Sequence, residues 1–272
     1  MKFGIITIGN HRNADPFREV METVHYALLS LGHDCVLTKR WLPDRRLILF
    51  APNWIPLLGV QPPAGTFLYN LEQIFHDSPF VTPTTVAIFR QYPMLDYNRR
   101  NIERLIKMGI PAPRYLPIGY VPELTRIRPA TEDIDVLFYG SVDDRRRAVL
   151  DALRERGLHV EVLSGVYGGA RDAFIARSKV VLNMHSVSDV FETVRVSYLL
   201  SNKKVIVSER GDGHEEFLGA IAFADYGELA DLCAKLAADD QARRALGQRG
   251  FEIMSSRSER EYLRSALVDL IA

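Results

Sequence analysis

Three neighbouring arginines, Arg145, Arg146 and Arg147, stand just inside an apparent helix start, in the stretch GSVDDRRR. A helix N-terminus favours anions and disfavours cations, so arginines there call for a counter-anion. Gly140 and Ser141, immediately upstream, leave the backbone open to close approach by a phosphate. The plainer reading caps the helix with Asp143 and Asp144 and leaves the arginines in water. A second stretch, FETVRVSYLLSNKKVIVSE (191–209), opens with Glu192 and Arg195 one helical turn apart. Glu192 could hold ribose hydroxyls and Arg195 a phosphate. The plainer alternatives are an ion pair between the two and a capping box of Asp189 with Glu192.

Other candidates also follow apolar runs. In SGVYGG (164–169), Ser164, Gly165 and Tyr167 could lay a planar base against backbone and an aromatic ring; a plain turn is the alternative. His185 sits in NMHSVSD (183–189). In the first half, Asn10, His11, Arg12 and Asp15 follow the first apolar run, and Glu72 and Gln73 follow FLYN. An acid or imidazole there would suit general-base work on a hydroxyl, with His11 and Glu72 the best placed. Two metal-like signals are set aside. DID (133–135) precedes a strand, at the wrong end of a sheet for a site. The acidic residues of GDGHEE (211–216) fit a first helical turn. No G-x-G-x-x-G, G-x-x-x-x-G-K-[ST] or G-x-S-x-G fingerprint occurs, which argues against dinucleotide enzymes, P-loop enzymes and serine hydrolases.

These loops need elements to carry them. KFGIITI (2–8) is a short β-rich run, and 15–31 has apolar residues at helical spacing. LILFA and TFLYN are further strands. A helix over roughly 98–108 ends at Gly109 and Pro111. The alternation then resumes: strand 135–140, helix 143–157, strand 159–165, helix 171–178, strand 179–184, helix 190–201, strand 204–209 and two helices in 225–250. The last segment reads as a helix with Ser256 and Glu259 as a capping box. Strands alternating with helices give an α/β fold with parallel sheets, whose ligands bind beyond the strands' carboxyl ends. The expected organisation is two Rossmann-like halves, 1–118 and 134–255, a proline-bearing linker at 119–133, and a final helix, 256–272, returning to the first half. The cleft between the halves is the default ligand site.

Bulk properties narrow the classes. The 272 residues carry 34 Lys plus Arg and 34 Asp plus Glu, so no overall field draws nucleic acid or anionic lipid. The apolar stretch LILFAPNWIPLLGV (47–60) is too short and too broken by Pro52 and Pro56 for a membrane span, and burial explains it. MKFGIITIGN does not read as a secretory signal. Cys35 and Cys233 belong to no metal spacing and read as reduced core thiols of a cytoplasmic protein.

Three linked segments carry a resemblance: DVLFYGSVDDRRRAVLDALRERG, SGVYGGARDAFIARSKVVLNMH and FETVRVSYLLSNKKVIVSE. Together they resemble the C-terminal half of small bacterial GT-B-fold glycosyltransferases of the spore-maturation-protein-like, glycosyltransferase family 1 group. LDYNRRNIERLIKMGIPAPRYLPIGYVPEL resembles the passage between the two domains of such proteins. The resemblance implies two facing Rossmann-like domains, a nucleotide-sugar donor held by the second, an acceptor held by the first, a C-terminal crossover helix and no metal cofactor. It places Gly140 and Ser141 beside the diphosphate, Tyr167 at the nucleobase and Arg195 in the donor grip. Where many retaining enzymes have Glu, this helix has Tyr198, and its turn is Asn202-Lys203-Lys204. The acceptor (glycan, peptide, lipid-linked or small molecule) stays open. A non-catalytic binding module and a sugar-nucleotide 2-epimerase are the alternative functions.

Overall fold

A computed structural model describes residues 1–8, 15–75, 78, 80–185, 191–211 and 213–271. His11, Asp189 and Asp212 lie outside the described residues. The chain divides into two compact units. The first is Met1–Glu123 with Ser258–Ala272, and the second is Leu124–Arg257.

The first unit begins β1 (Lys2–Thr7), α1 (Arg18–Ser30), β2 (Asp34–Thr38), β3 (Arg46–Phe50), α2 (Ile55–Leu58) and β4 (Phe67–Asn70). It continues α3 (Pro83–Phe89), β5 (Met94–Asp96), α4 (Arg99–Lys107) and β6 (Arg114–Tyr115). Its strands are all parallel, in the order β2-β1-β3-β4-β5-β6. The strands are apolar nearly throughout because helices cover both faces of such a sheet. Phe3, Ile5, Ile6, Ile48, Leu49, Leu68 and Leu95 are fully buried. Within LILFAPNWIPLLGV, burial holds for Leu47–Phe50 and Ile55, but Leu57 is 75% exposed and Leu58 41%. The two leucines follow Pro56 on a one-turn helix too short to cover both its sides.

The second unit runs β7 (Ile134–Tyr139), α5 (Asp144–Glu155), β8 (Val160–Leu163), α6 (Gly168–Arg177), β9 (Ser178–Asn183) and α7 (Thr193–Ser201). It closes with β10 (Ile206–Glu209), β11 (Ala222–Ala224), α8 (Leu229–Ala238) and α9 (Asp240–Ser255). The parallel order is β11-β10-β9-β7-β8. Chain order reverses between β7 and β9, the crevice where open α/β sheets bind ligands. Its core centres on Val136, Phe138, Leu153, Val180, Leu182 and Cys233. Burial also pushes the Cys35 thiol, in the first unit, up to about 12.

Residues 119–133 divide between the units rather than forming a free connection. Gly119 and Tyr120 bond to the C-terminal segment, whereas Leu124 is buried in the second unit. Asn202 there accepts the amides of Arg126 and Ile127, at 2.8 and 2.9 Å. After Arg257 the chain re-enters the first unit as α10 (Glu259–Ala266) and α11 (Val268–Ile271), with α10 packed on α1. The cap of α10 differs from the Ser256–Glu259 box. Ser258 is the cap and Glu259 is buried at 1% exposure, its Oε2 accepting the Gly119 amide at 2.6 Å. Two parallel sheets with flanking helices make this the two-Rossmann-like architecture of the GT-B fold, with a C-terminal crossover helix.

Candidate functional site

The β7/β9 crossover brings two sequence candidates, Gly140 and Arg195, together. β7 ends at Tyr139, and Gly140 follows with φ +140°, a conformation that L side chains rarely adopt. Arg195 reaches this point from the first turn of α7. Its Nη1 donates to Asn183 Oδ1 at 2.9 Å, and its guanidinium lies 5.0 Å from the Tyr139 ring centre. A Cβ on Gly140 would come within 3.2 Å of Arg195 Nη2, so glycine is what admits the guanidinium to the strand end. Asn183 is oriented in turn: its amide donates to Ser208 Oγ, whose hydroxyl donates to the Glu209 carbonyl, both at 2.9 Å. A guanidinium fixed over an open backbone turn at a switch point is suited to a phosphate.

The arginines at the start of α5 are arranged otherwise than the sequence suggests. Arg145 forms a forked pair with Glu209 at the end of β10, Nη1 meeting Oε2 at 2.9 Å and Nη2 meeting Oε1. The guanidinium also lies 4.1 Å from the Tyr226 ring centre. Arg145 therefore already has its anion inside the protein. Burial works to raise the Glu209 carboxyl, but Arg145 and the His185 amide bring it below its ordinary value. Arg146 is 4% exposed and serves as a brace. It donates to the carbonyls of Ser141 and Met184, at 2.9 and 2.8 Å, and to that of His185. Burial, then the nearby Arg195 charge, lowers its pKa. Arg147 stays exposed, and Asp143 caps the helix through the Arg146 amide at 2.8 Å.

His185 is 5% exposed at the end of β9. Its Nε2 donates to the Arg210 carbonyl at 2.9 Å, and its Nδ1 is buried with no hydrogen-bond partner among the described residues. Glu192 precedes α7, which starts at Thr193, so it is not a third-position capping partner. No ion pair joins Glu192 to Arg195 among the described residues; Arg195 takes Asn183 instead. Tyr198 is 4% exposed, donates to Asp172 at 2.7 Å and accepts from Arg126, so it braces α6 rather than meeting a ligand.

In the first unit Glu72 follows β4 at the carboxyl end of that sheet. Its amide donates to Asn70 Oδ1 at 3.3 Å, and its carbonyl accepts from Asn101 at 2.9 Å. A cavity of about 250 Å3 opens beyond β1 and β2, lined by Thr7, Asp15, Arg18, Met21, Leu37, Thr38 and Lys39.

Residues 125–263 match the family described as Glycosyl transferase-like. The chain belongs to that family. Among its relatives, the uncharacterized protein L137 of Acanthamoeba polyphaga mimivirus is 28% identical over 180 residues, 61% of this chain and 24% of the relative. Another protein of the same virus is 28% identical over 181 residues, 60% of this chain and 56% of its own length. The chain thus spans from a quarter to little over half of these relatives. Solved structures share the fold along the whole chain. Sucrose-phosphate synthase from Thermosynechococcus elongatus has a TM-score of 0.60 at 11% identity, covering 99% of this chain and 98% of that one. An alpha-glucosyltransferase in complex with UDP gives 0.64 at 8%, covering 100% and 99%. UDP-N-acetylglucosamine 2-epimerase gives 0.53 at 12%, covering 99% and 97%, so the fold alone does not separate transfer from epimerisation.

In this glycosyl transferase-like chain none of the remaining candidates has a hydrogen bond to Arg195 among the described residues. Ser164 and Gly165 are exposed, and Tyr167 is half-buried just before α6. None of the three makes a side-chain hydrogen bond or ring contact among the described residues. Gly165, at φ +68°, simply turns the chain. Ser141 is exposed, with its carbonyl on Arg146. The DID aspartates are taken up at the sheet's amino end, Asp133 by Arg177 and Asp135 by Lys179 at 2.6 Å. In GDGHEE, Glu216 pairs with Arg257 at 2.7 Å. Sequence reasoning missed Asn183, Ser208 and Glu209. The available signal was a polar residue closing each of two neighbouring apolar strands.

Proposed function

We propose that this protein is a glycosyltransferase that moves a sugar from a nucleotide-sugar donor to an acceptor hydroxyl (an amide or a base being the variants), without a metal ion. The observation that carries this reading is Arg195, fixed by Asn183 and Tyr139 over Gly140 at the switch point of the second sheet. A diphosphate there would meet a guanidinium with donor groups beyond the one given to Asn183. As the anomeric C–O bond breaks, the negative charge growing on the diphosphate is stabilised by Arg195 and by the amides that open α5. Glu192, just before α7, would hold ribose hydroxyls, and the buried His185 Nδ1, which has no partner among the described residues, would take a hydrogen bond from the donor. Glu72 or His11 takes the proton of the attacking acceptor. The acceptor, whether glycan, peptide, lipid-linked molecule or small molecule, falls to the loops of the first unit. No described helix is long and apolar enough to cross a membrane, and we place the reaction in the cytoplasm.

Thermal shift and donor hydrolysis with a panel of sugar nucleotides test this reading. One of them is expected to raise Tm and to be turned over. Arg195→Ala should retain the fold and lose both responses. Unchanged donor affinity in that variant would remove the phosphate role. A second reading, a donor-binding module without transfer, is favoured by Tyr198, which stands where many retaining enzymes carry Glu and is bonded to Asp172. A thermal shift without turnover would select it.

A further inference from the structure

Asp96 closes β5 at 0% exposure. Three donors converge on its carboxylate. Asn70 Nδ2 reaches Oδ2 at 2.7 Å, while the Asn98 amide and Asn101 Nδ2 reach Oδ1 at 2.8 and 3.2 Å. Each carboxamide has a second NH2 hydrogen, and both of these go to the Glu72 carbonyl, at 3.0 Å from Asn70 and 2.9 Å from Asn101. The carboxamide oxygens then face the loop amides. Asn70 Oδ1 accepts from Glu72 N at 3.3 Å and Asn101 Oδ1 from Ile74 N at 3.0 Å. Arg104 of α4 completes the loop by donating to the Ile74 carbonyl. The network is directional: the carboxylate only accepts, as does the Glu72 carbonyl, so both NH2 ends turn toward these oxygens and both carboxamide oxygens face the loop amides.

We propose that Asp96 is a positioning residue: as a carboxylate it sets the sense of Asn70 and Asn101, and through them fixes the Glu72–Ile74 backbone that carries the acceptor-side base. The proposal rests on the reading of Glu72 as that base. Asp96 touches no substrate in it. Protonating Asp96 removes the charge that strengthens its three accepted hydrogen bonds. Replacing it with Asn puts an NH2 group where an acceptor was, so a carboxamide opposite loses its partner or turns over, its NH2 then meeting the N–H of Glu72 or Ile74. Burial raises the Asp96 carboxyl to about 7, against the opposing effect of the three donors. The other titratable and charged groups on the elements about it are Glu72 itself, Tyr69 on β4, whose hydroxyl donates to Leu116 O, Tyr97 beside it, Arg114 and Tyr115 on β6, the latter its register partner, and Arg99, Arg100, Glu103, Arg104 and Lys107 on α4.

Amide hydrogen exchange on the full chain tests this directly. In Asp96→Asn, exchange over residues 72–75 should rise at least ~10-fold while β1 and β3 keep their protection. UDP-glucose turnover, where present, should lose its acid limb near neutral pH. Unchanged exchange over 72–75 would overturn the proposal. If Asp96→Asn does not fold, the wild-type protein supplies the test. Its 72–75 exchange, corrected for the intrinsic pH effect, should be faster at pH 5.5 than at pH 8.5, and equal rates would overturn it. Glu72→Gln separates the two readings. If it keeps UDP-glucose turnover while Asp96→Asn loosens the loop, the base reading falls and the Asp96 brace stands.

Discussion

Arg145 and Glu209 meet as a forked ion pair across the carboxyl ends of the second sheet, 64 residues apart in sequence. The pair accounts for a cation in the first turn of α5, where the helix dipole opposes it. Glu209 is largely buried, with its side chain 11% exposed, while that of Arg145 is 37% exposed. Glu209→Gln should therefore cost stability, discounted for solvent screening to about 1–2 kcal/mol. The pH dependence has a definite sign. The folded Glu209 pKa lies below its ordinary value, so its stabilisation is present above about pH 4–5 and disappears as pH falls through the folded value. Urea midpoints at pH 7 and pH 3.5 should differ less in Glu209→Gln than in the wild type; equal differences would refute the assignment.

Asn183 gives a second test because it orients Arg195 without being a phosphate ligand in the proposed reaction. Asn183→Ala removes the acceptor of Arg195 Nη1 and the donor to Ser208 Oγ. A freed guanidinium must be ordered again by each arriving donor. Sugar-nucleotide affinity is expected to drop about ten-fold, one charge-assisted hydrogen bond's worth of positioning, and less than in Arg195→Ala. Isothermal titration with the nucleotide that gives the largest thermal shift reads both.

Gly140→Ala addresses the same point from the backbone. The added Cβ would stand 3.2 Å from Arg195 Nη2, and at φ +140° the alanine would be strained in any surroundings. A loss of about 1–3 kcal/mol follows from the strain. Donor affinity should fall beyond what the stability loss explains, because the guanidinium must withdraw from the strand end. A variant with lowered Tm and full affinity would show that Gly140 serves the turn alone.

The alternation of strands and helices was legible because fully buried parallel strands are short apolar runs. Arg195 could be singled out because the loop after a strand end is where such sheets bind ligands; its partner Asn183 could not. What the sequence hid is long-range pairing. Nothing in RRR distinguishes the arginine that meets Glu209 from the one that braces the Met184 and His185 carbonyls. Spacing allowed Glu192 to pair with Arg195, yet α7 begins only at Thr193, and the guanidinium donates to Asn183, 12 residues earlier. Asp96 gave no sign of burial, and Glu259 read as the capping-box partner of Ser256, a role at a solvated helix end. Ser258 rather than Ser256 caps α10 because Glu259 must turn inward to meet Gly119.

That inward turn leads to a prediction about the C-terminal segment. Burial raises the Glu259 carboxyl to about 8, with the Gly119 amide opposing, and its Oε1 is a buried atom with no hydrogen-bond partner. Between about pH 4.5 and pH 8 the folded protein holds a proton here that the unfolded chain has released. Stability from this group is therefore complete at acid pH and is lost as pH rises through 8. Glu259→Gln keeps an acceptor for the Gly119 amide and cannot ionise. Its urea midpoint should fall less than that of the wild type between pH 5 and pH 8.5. The variant should be the more stable of the two at pH 8.5, by about 2–4 kcal/mol. Parallel pH profiles for the two proteins would mean that Glu259 is solvated, and would remove the reason given for the cap at Ser258.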